Sequence, residues 1–270
     1  MHKSIRILIV AFSCAVFTAL LSLKTGTLAL TLSTVTSGIS GAAISALYEL
    51  IDTKGQGIKT WLLSKIIYKD KDIYISFSYL YRIEVNGKYL LVRGHRLKNQ
   101  YQPIGGVYKY YPEAKSFLNS IRVVPSTVMG NTDETDDLRL NIKGKYFLSF
   151  IDWFLKMEDR EYDPIREFTE ELLDTGILPK DEFQKLKYRK VDVHNVGFTY
   201  SQPLASHEVI YADIFELILT DDQKNIIRDA VSKYPDCIVL ATPQEIKTRR
   251  YAGSVEMNLG NNTPWIIGEN

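Results

Sequence analysis

Three glutamates in the middle of the chain have the residue type and the spacing of a divalent-metal site. Glu167, Glu170 and Glu171 stand at positions i, i+3 and i+4, which share one face of an α-helix. Like charges at this spacing repel by about 0.2–0.5 kcal/mol per pair, and Arg166 offsets only part of the charge. A hard cation such as Mg²⁺ prefers carboxylate oxygens and would relieve the repulsion while it holds a diphosphate. The alternative is an acidic helix face that contacts only water.

The flanking residues predict the helix that would carry these glutamates. Asp163-Pro164 favours a helix start, because aspartate accepts hydrogen bonds from free backbone N–H groups and proline fits the first turn. Gly176 favours a helix end in the left-handed conformation. We therefore expect a helix over residues 164–175. Its apolar face would consist of Ile165, Phe168 and Leu172, which recur at helical spacing.

The segment from Glu158 onward resembles the Nudix box of the Nudix hydrolase family. In that box a glutamate precedes the pattern Arg-Glu-aliphatic-x-Glu-Glu by seven residues, and Glu158 stands at this spacing before residues 166–171 (REFTEE). Upstream, residues 81–93 read as two strands around an Asn86-Gly87 turn, and residues 102–106 (QPIGG) resemble the strand end that precedes a Nudix box. The resemblance implies an α/β fold, a Nudix-type α/β/α sandwich with a mixed sheet.

The resemblance also implies roles for individual residues. The implied cofactor is Mg²⁺ or Mn²⁺, which lowers the pKa of a bound water and polarises a phosphoryl oxygen. The implied metal ligands are Glu167, Glu170 and Glu171. The implied catalytic residues are Glu158, Arg166 and Glu170. The candidates for contacting a bound nucleotide are Gly105, Gly106, Arg93 and Lys109. The candidates for a later base or an additional metal ligand are Glu208 and Glu245.

The chain departs from the Nudix pattern at both ends of the box. Asp152 stands where the first glycine of the box belongs, and the closing glycine comes late, at Gly176. An insertion at about 107–157 also lengthens the connection into the box. Such changes affect catalysis more than fold, because a rebuilt entry loop can still bind a nucleotide. Within the insertion, residues 146–155 predict a helix on the sheet, whose Trp153 and Phe154 either pack in the core or stack on a base.

The N-terminal part of the chain has the hydropathy of membrane-spanning helices. Residues 5–23 contain a single charged residue, Arg6, and residues 25–48 contain none. Each stretch could cross roughly 30 Å of hydrocarbon at about 1.5 Å per helical residue. The expected organisation is two transmembrane helices in residues 1–50, a connector in 51–74 and a Nudix-like domain in 75–270.

Charge placement predicts the orientation of this hairpin. Basic residues precede the first stretch and follow the second, which favours a multi-pass protein of the bacterial inner membrane with a cytoplasmic domain. A cleaved secretory signal is the rival interpretation. Small residues four positions apart would let the helices of a homo-oligomer approach closely, and these are Gly38, Ala42 and Ala46.

The organisation as a whole resembles the membrane-anchored Nudix effectors of CBASS, the bacterial antiphage systems that signal with cyclic oligonucleotides. The resemblance implies a nucleotidyltransferase partner and a cyclic oligonucleotide that the domain senses in the cytosol, with membrane disruption or nucleotide hydrolysis as the output. Net charge is +1, which argues against long nucleic acid as a partner. Two alternatives stay open: an Mg²⁺-dependent hydrolase of a nucleoside diphosphate derivative, and a catalytically inactive adaptor that binds protein.

Overall fold

The computed structural model describes residues 59–94, 99–126, 136–253 and 256–269 of the 270-residue chain. The described residues from Ser64 onward belong to one compact unit. The strands are β1 (Asp72–Arg82), β2 (Glu84–Val85), β3 (Lys88–Arg93), β4 (Gln100–Gln102), β5 (Gly105–Val107), β6 (Val124–Pro125), β7 (Arg139–Lys143), β8 (Tyr188–Asn195), β9 (Thr199–Ser201), β10 (Ser206–Leu217), β11 (Ile238–Ala241), β12 (Arg250–Ala252) and β13 (Glu256–Leu259). The α-helices are α1 (Ala114–Ser120), α2 (Phe147–Lys156), α3 (Ile165–Phe168), α4 (Asp221–Lys233) and α5 (Pro243–Thr248). The shorter helical turns are Leu63–Ile67 and Thr169–Leu173 (π), and Gly144–Tyr146, Lys180–Phe183 and Thr263–Ile267 (3₁₀).

The strands form two mixed sheets. In the first the order is β6-β7-β1-β10-β8, with β5 paired to β1 and β9 paired to β10. Its long central pair, β1 and β10, is parallel, whereas β5 and β7 run antiparallel to β1. In the second the order is β11-β3-β4-β13-β12, with β2 paired to β3. This mixed α/β arrangement fits the Nudix-type fold that the sequence predicts.

Strand β1 is buried on both faces, because its sequence is almost continuously apolar and aromatic. Alternate residues of β1, among them Phe77 and Tyr79, point into the larger of two hydrophobic cores. Leu80, on the opposite face of the strand, points into the smaller core. Helix α2 covers the larger core, and Trp153 and Phe154 are 7% and 1% exposed. These two side chains therefore pack in the core, and the alternative of base stacking is excluded for them.

Local predictions from turn and cap chemistry are confirmed at Asn86-Gly87 and at Gly176, and a further helix has a cap of its own. Asn86 and Gly87 have φ of +52° and +76° and join β2 to β3, as expected of a two-residue hairpin turn. Thr220 caps α4 through a capping box with Gln223, which satisfies two N–H groups at the start of that helix. Gly176 ends the helix of the box with φ of +72°.

The expected localisation, a multi-pass protein of the inner membrane, is contradicted. None of the helices in the described part of the chain has the length and the apolar character needed to cross a bilayer. The two N-terminal stretches on which that expectation was based, residues 5–23 and 25–48, lie outside the described residues.

Candidate functional site

The helix that carries the three glutamates changes its winding halfway. It begins as α3, Ile165–Phe168, and continues as a π-helical turn, Thr169–Leu173, where the sequence predicts one uniform α-helix. Asp163 Oδ1 accepts a hydrogen bond from the first helical N–H at 3.0 Å. The N–H of Asp174 donates to the Thr169 carbonyl at 2.8 Å, which is the i to i−5 bond of the wide turn. Such π turns within helices occur frequently at functional sites.

The π turn separates the environments of the three glutamates. Glu171 is buried, with 7% of the residue exposed. The Glu167 side chain is 18% exposed and the Glu170 side chain is 55% exposed. The glutamates therefore do not form one solvated acidic face, since one of them lies inside the protein.

Arg166 is the centre of the charged cluster. Its Nε donates to Glu161 Oε1 at 2.9 Å, and its Nη2 donates to Glu161 Oε2 at 3.2 Å and to the Val107 carbonyl at 3.0 Å. Its Nη1 donates to Glu167 Oε1 at 2.5 Å and lies 3.6 Å from Glu170 Oε2. Burial acts to lower the pKa of Arg166, but the hydrogen bond to Glu161 and the surrounding negative charges outweigh it and raise that pKa above its usual range. The guanidinium therefore stays charged.

Glu161 is a member of this cluster that sequence reasoning missed. It is 8% exposed, and its backbone pairs with Lys109, whose carbonyl accepts the Glu161 N–H at 2.8 Å. The N–H of Lys109 in turn donates to Glu161 Oε2 at 3.2 Å. The Nudix spacing points instead to Glu158, which is exposed in the loop after α2. The sequence signal for Glu161 is weak: it is the last residue of the charged run 158–161 (EDRE), which begins two residues after the end of the aromatic helix α2.

The electrostatics of the cluster favour a cation. Burial, together with the charges of Glu167 and Glu170, raises the pKa of Glu171 to about 8, although the Gly105 N–H donates to this carboxylate and opposes the shift. Burial also raises the pKa of Glu167, despite the neighbouring Arg166. A raised carboxyl pKa means that ionisation of the group costs more free energy here than in water. A bound cation would lower that cost, because it would offset the negative charge of the carboxylates.

The two glycines of β5 are required by close packing. A Cβ on Gly106 would occupy the space of the Glu167 side chain. A Cβ on Gly105, where φ is +154°, would meet the backbone carbonyl of Tyr79 and lie 2.9 Å from the Leu80 Cα. The pair therefore lets β5 lie against β1 on one side and against the carboxylates on the other.

Of the other predicted ligand contacts, Lys109 reaches the cluster and Arg93 does not. Lys109 is joined to it through its backbone bonds with Glu161. Arg93 ends β3 in the second sheet, where it lies opposite Tyr101 on β4. It belongs to a different sheet from Gly105 and Gly106.

The two candidates for a later base also lie elsewhere. Glu208 pairs with Tyr74 on β1, whereas Gly105 pairs with Leu80, six residues further along the same strand. That separation corresponds to about 20 Å at about 3.3 Å per residue. Glu245 has a structural task, because its carboxylate accepts the N–H of Thr242 at 2.7 Å and closes the capping box of α5.

A buried polar network lies behind the cluster. Asp213, 5% exposed on β10, accepts hydrogen bonds from the hydroxyls of Tyr108 and Tyr211, each at 2.8 Å, and forms an ion pair with Lys190 at 2.5 Å. The guanidinium of Arg160 lies 5.0 Å from the centre of the Tyr108 ring. The network fixes the segment from which Glu161 projects.

The side chains around Arg166 are of the type that Mg²⁺ binds. Carboxylate oxygens are the ligands that this cation prefers, and the raised pKa of Glu171 fits a site that gains from a positive charge. Across the described ranges, no set of three His, Cys, Asp or Glu side chains is already arranged around a single point. The reason is visible at Arg166, which engages Glu167 and Glu170. The residues thus fit a divalent cation in kind and in charge.

Comparison with known families identifies the class of protein. The fold and the box define a NUDIX domain, and the family described as the SMODS-associated NUDIX domain matches residues 72–267. The chain belongs to that family. No curated protein and no solved structure matches the chain. The Nudix prediction is therefore confirmed at the level of the family.

Proposed function

We propose that this chain is a NUDIX effector that binds a cyclic oligonucleotide made by a CBASS-type nucleotidyltransferase, and that the cluster around Arg166 is where its phosphates are held. The association of the family with SMODS nucleotidyltransferases supports the link to nucleotide signalling. The single observation that carries the site is the buried Glu171, whose raised pKa reflects burial and the adjacent charges of Glu167 and Glu170.

The proposed ligand bridge follows from charge. Phosphates and carboxylates repel each other, so a nucleotide cannot approach this cluster without a cation between them. Glu167, Glu170 and Glu171 would hold Mg²⁺ or Mn²⁺, which supplies positive charge to phosphoryl oxygens when bound.

A screen of thermal unfolding tests this proposal on the full-length chain. Cyclic di- and trinucleotides are added with Mg²⁺ or with EDTA, and a ligand at 100 times its Kd should add about 2.7 kcal/mol of stability. Glu170→Gln should abolish the shift, because it removes a charged ligand of the cation. The Glu170 side chain is 55% exposed, so the substitution should spare the fold. Glu84→Gln, an exposed glutamate on β2, is the matched control. Absence of a shift with every nucleotide would favour a protein-binding adaptor.

One observation favours a second candidate function, hydrolysis of a diphosphate linkage. A carboxyl group with a pKa near neutrality is suited to proton transfer, and the pKa of Glu171 is raised to about 8. In that reaction a water oxygen bonds to one phosphorus, the bridging P–O bond breaks, and Glu171 would accept the proton of the water.

An assay for nucleoside monophosphate released from nucleoside diphosphate derivatives, in the presence of Mg²⁺ or Mn²⁺, distinguishes the two functions. Hydrolysis that Glu171→Gln abolishes would support the second. Binding without turnover, by a chain that shows a thermal shift, would support the first alone.

A further inference from the structure

We infer that Glu161 is a positioning residue of this site. Its carboxylate binds the edge of the Arg166 guanidinium formed by Nε and Nη2, so that the remaining nitrogen, Nη1, points toward Glu167 and Glu170. The inference rests on the proposed function only for the identity of what the carboxylates bind. The geometry of the Arg166 contacts carries the rest.

The contacts of the guanidinium are divided unequally. Glu161 takes Nε and Nη2 in two parallel bonds of 2.9 and 3.2 Å, the fork geometry in which arginine and carboxylate match best. The Val107 carbonyl takes the second bond of Nη2. Glu167 and Glu170 share Nη1, at 2.5 and 3.6 Å. Arg166 is therefore oriented by Glu161 and Val107 rather than by the glutamates of the box.

Glu161 is itself held in place by neighbours outside the box. Its N–H and one carboxylate oxygen are both bonded to the backbone of Lys109. Its carbonyl accepts a hydrogen bond from Arg160, whose guanidinium lies 3.7 Å from the centre of the Phe154 ring and also donates to the Phe154 carbonyl at 2.8 Å. The orientation of Arg166 thus derives from the core beneath α2.

This arrangement has a consequence for cation binding. Because Glu161 offsets the charge of Arg166, the three remaining carboxylates keep a larger net negative charge for a cation. Without Glu161, the guanidinium could turn its fork to Glu167 and Glu170 and compete with the cation for their oxygens. Glu161 would therefore raise cation affinity without being a ligand, as partners behind metal ligands generally do.

Titration of Mn²⁺ alone into the full-length chain, followed by calorimetry, measures this effect. Glu161→Gln should weaken Mn²⁺ binding by about tenfold, and Glu161→Asp, which keeps the charge, should recover part of the loss. Glu84→Gln should stay within about twofold of the wild type. If Glu158→Gln causes the larger loss, or if Glu161→Gln binds like the wild type, the inference is wrong.

A double-mutant cycle separates positioning from a general structural role. In the Arg166→Gln background, Glu161→Gln should cause no further loss beyond about twofold, because its effect acts through Arg166. Losses that add would overturn the inference. If Glu161→Gln alone does not fold, the comparison of the double variant with Arg166→Gln still tests the inference. The double variant lacks both partners of the ion pair, so it does not bury an unpaired guanidinium. Failure of the wild-type chain to bind Mn²⁺ would overturn the proposed function together with this inference, whereas unchanged binding by Glu161→Gln would overturn only the inference.

Discussion

The adjacent glycines of β5 should respond very differently to the same substitution. In Gly105→Ala the new methyl group would meet the Tyr79 carbonyl and the Leu80 Cα, which are backbone atoms of the central strand and cannot move aside. The positive φ of +154° adds strain for an L-residue. Strain of about 1–3 kcal/mol and overpacking of about 1–3 kcal/mol together predict a loss of about 2–6 kcal/mol in the free energy of unfolding.

In Gly106→Ala the three atoms nearest the new methyl group all belong to the Glu167 side chain, which can rotate into another conformation. The cost is the ion pair between Arg166 and Glu167, about 1 kcal/mol at this partly exposed position. A useful control is Gly87→Ala, where φ is +76° and nothing lies within 4 Å of the added Cβ. That substitution measures left-handed strain alone, about 1–2 kcal/mol.

Urea unfolding followed by circular dichroism measures the three differences, and melting temperatures provide a check. For a domain of this size, 1 kcal/mol corresponds to about 2–4 °C, so Gly105→Ala should melt about 4–24 °C below the wild type. Gly106→Ala should melt close to the wild type yet bind Mn²⁺ more weakly, because Glu167 has moved. Equal losses for the two substitutions, or a Gly105→Ala chain as stable as Gly87→Ala, would refute the packing argument.

Three further predictions concern side chains in and behind the site. Burial raises the pKa of Glu171 to about 8. In EDTA the folded state therefore binds the proton of the Glu171 carboxyl group more tightly than the unfolded state does. The free energy of unfolding should fall as the pH rises from about 4.5 to 8. Glu171→Gln should reduce that slope and add roughly 2–4 kcal/mol at pH 8 in urea titrations, while the raised pKa of Glu167 leaves a smaller slope of the same sign; an unchanged slope would contradict the assignment. Tyr108→Phe should cost about 1.5–3 kcal/mol in the same assay, because its hydroxyl donates to the buried Asp213, whereas the exposed Tyr111→Phe should change stability by less than about 0.5 kcal/mol. Thr220→Ala should cost about 1 kcal/mol through the lost helix cap, measured by thermal melting, and no change would argue that the cap contributes nothing.

Sequence reasoning was most successful where local chemistry determines the structure. The Asn86-Gly87 hairpin, the capped helix α4 and the aromatic helix α2 each follow from turn residues, cap residues or spacing. These features depend on neighbours within a few positions in the chain. The structure therefore needs no distant contact to produce them.

Sequence reasoning was less successful where the site depends on distant contacts. The pairing of residues 109–111 with residues 159–161 brings Glu161 to Arg166, and no spacing rule within the box indicates that pairing. Likewise, the sequence at Thr169–Leu173 is compatible with an α-helix and did not indicate the π turn, within which Glu171 is buried. Arg93 was predicted as a basic residue that could face the phosphates of a nucleotide, and the structure places it on a strand of the other sheet.

The central claim is that the carboxylates around Arg166 bind a nucleotide through a divalent cation. Calorimetric titration of cyclic di- and trinucleotides into the full-length chain, once with Mg²⁺ and once with EDTA, tests it most directly. We predict binding that requires Mg²⁺ and that Glu170→Gln removes while Glu84→Gln leaves it intact. Binding that is equally tight in EDTA, or that survives Glu170→Gln, would contradict the claim.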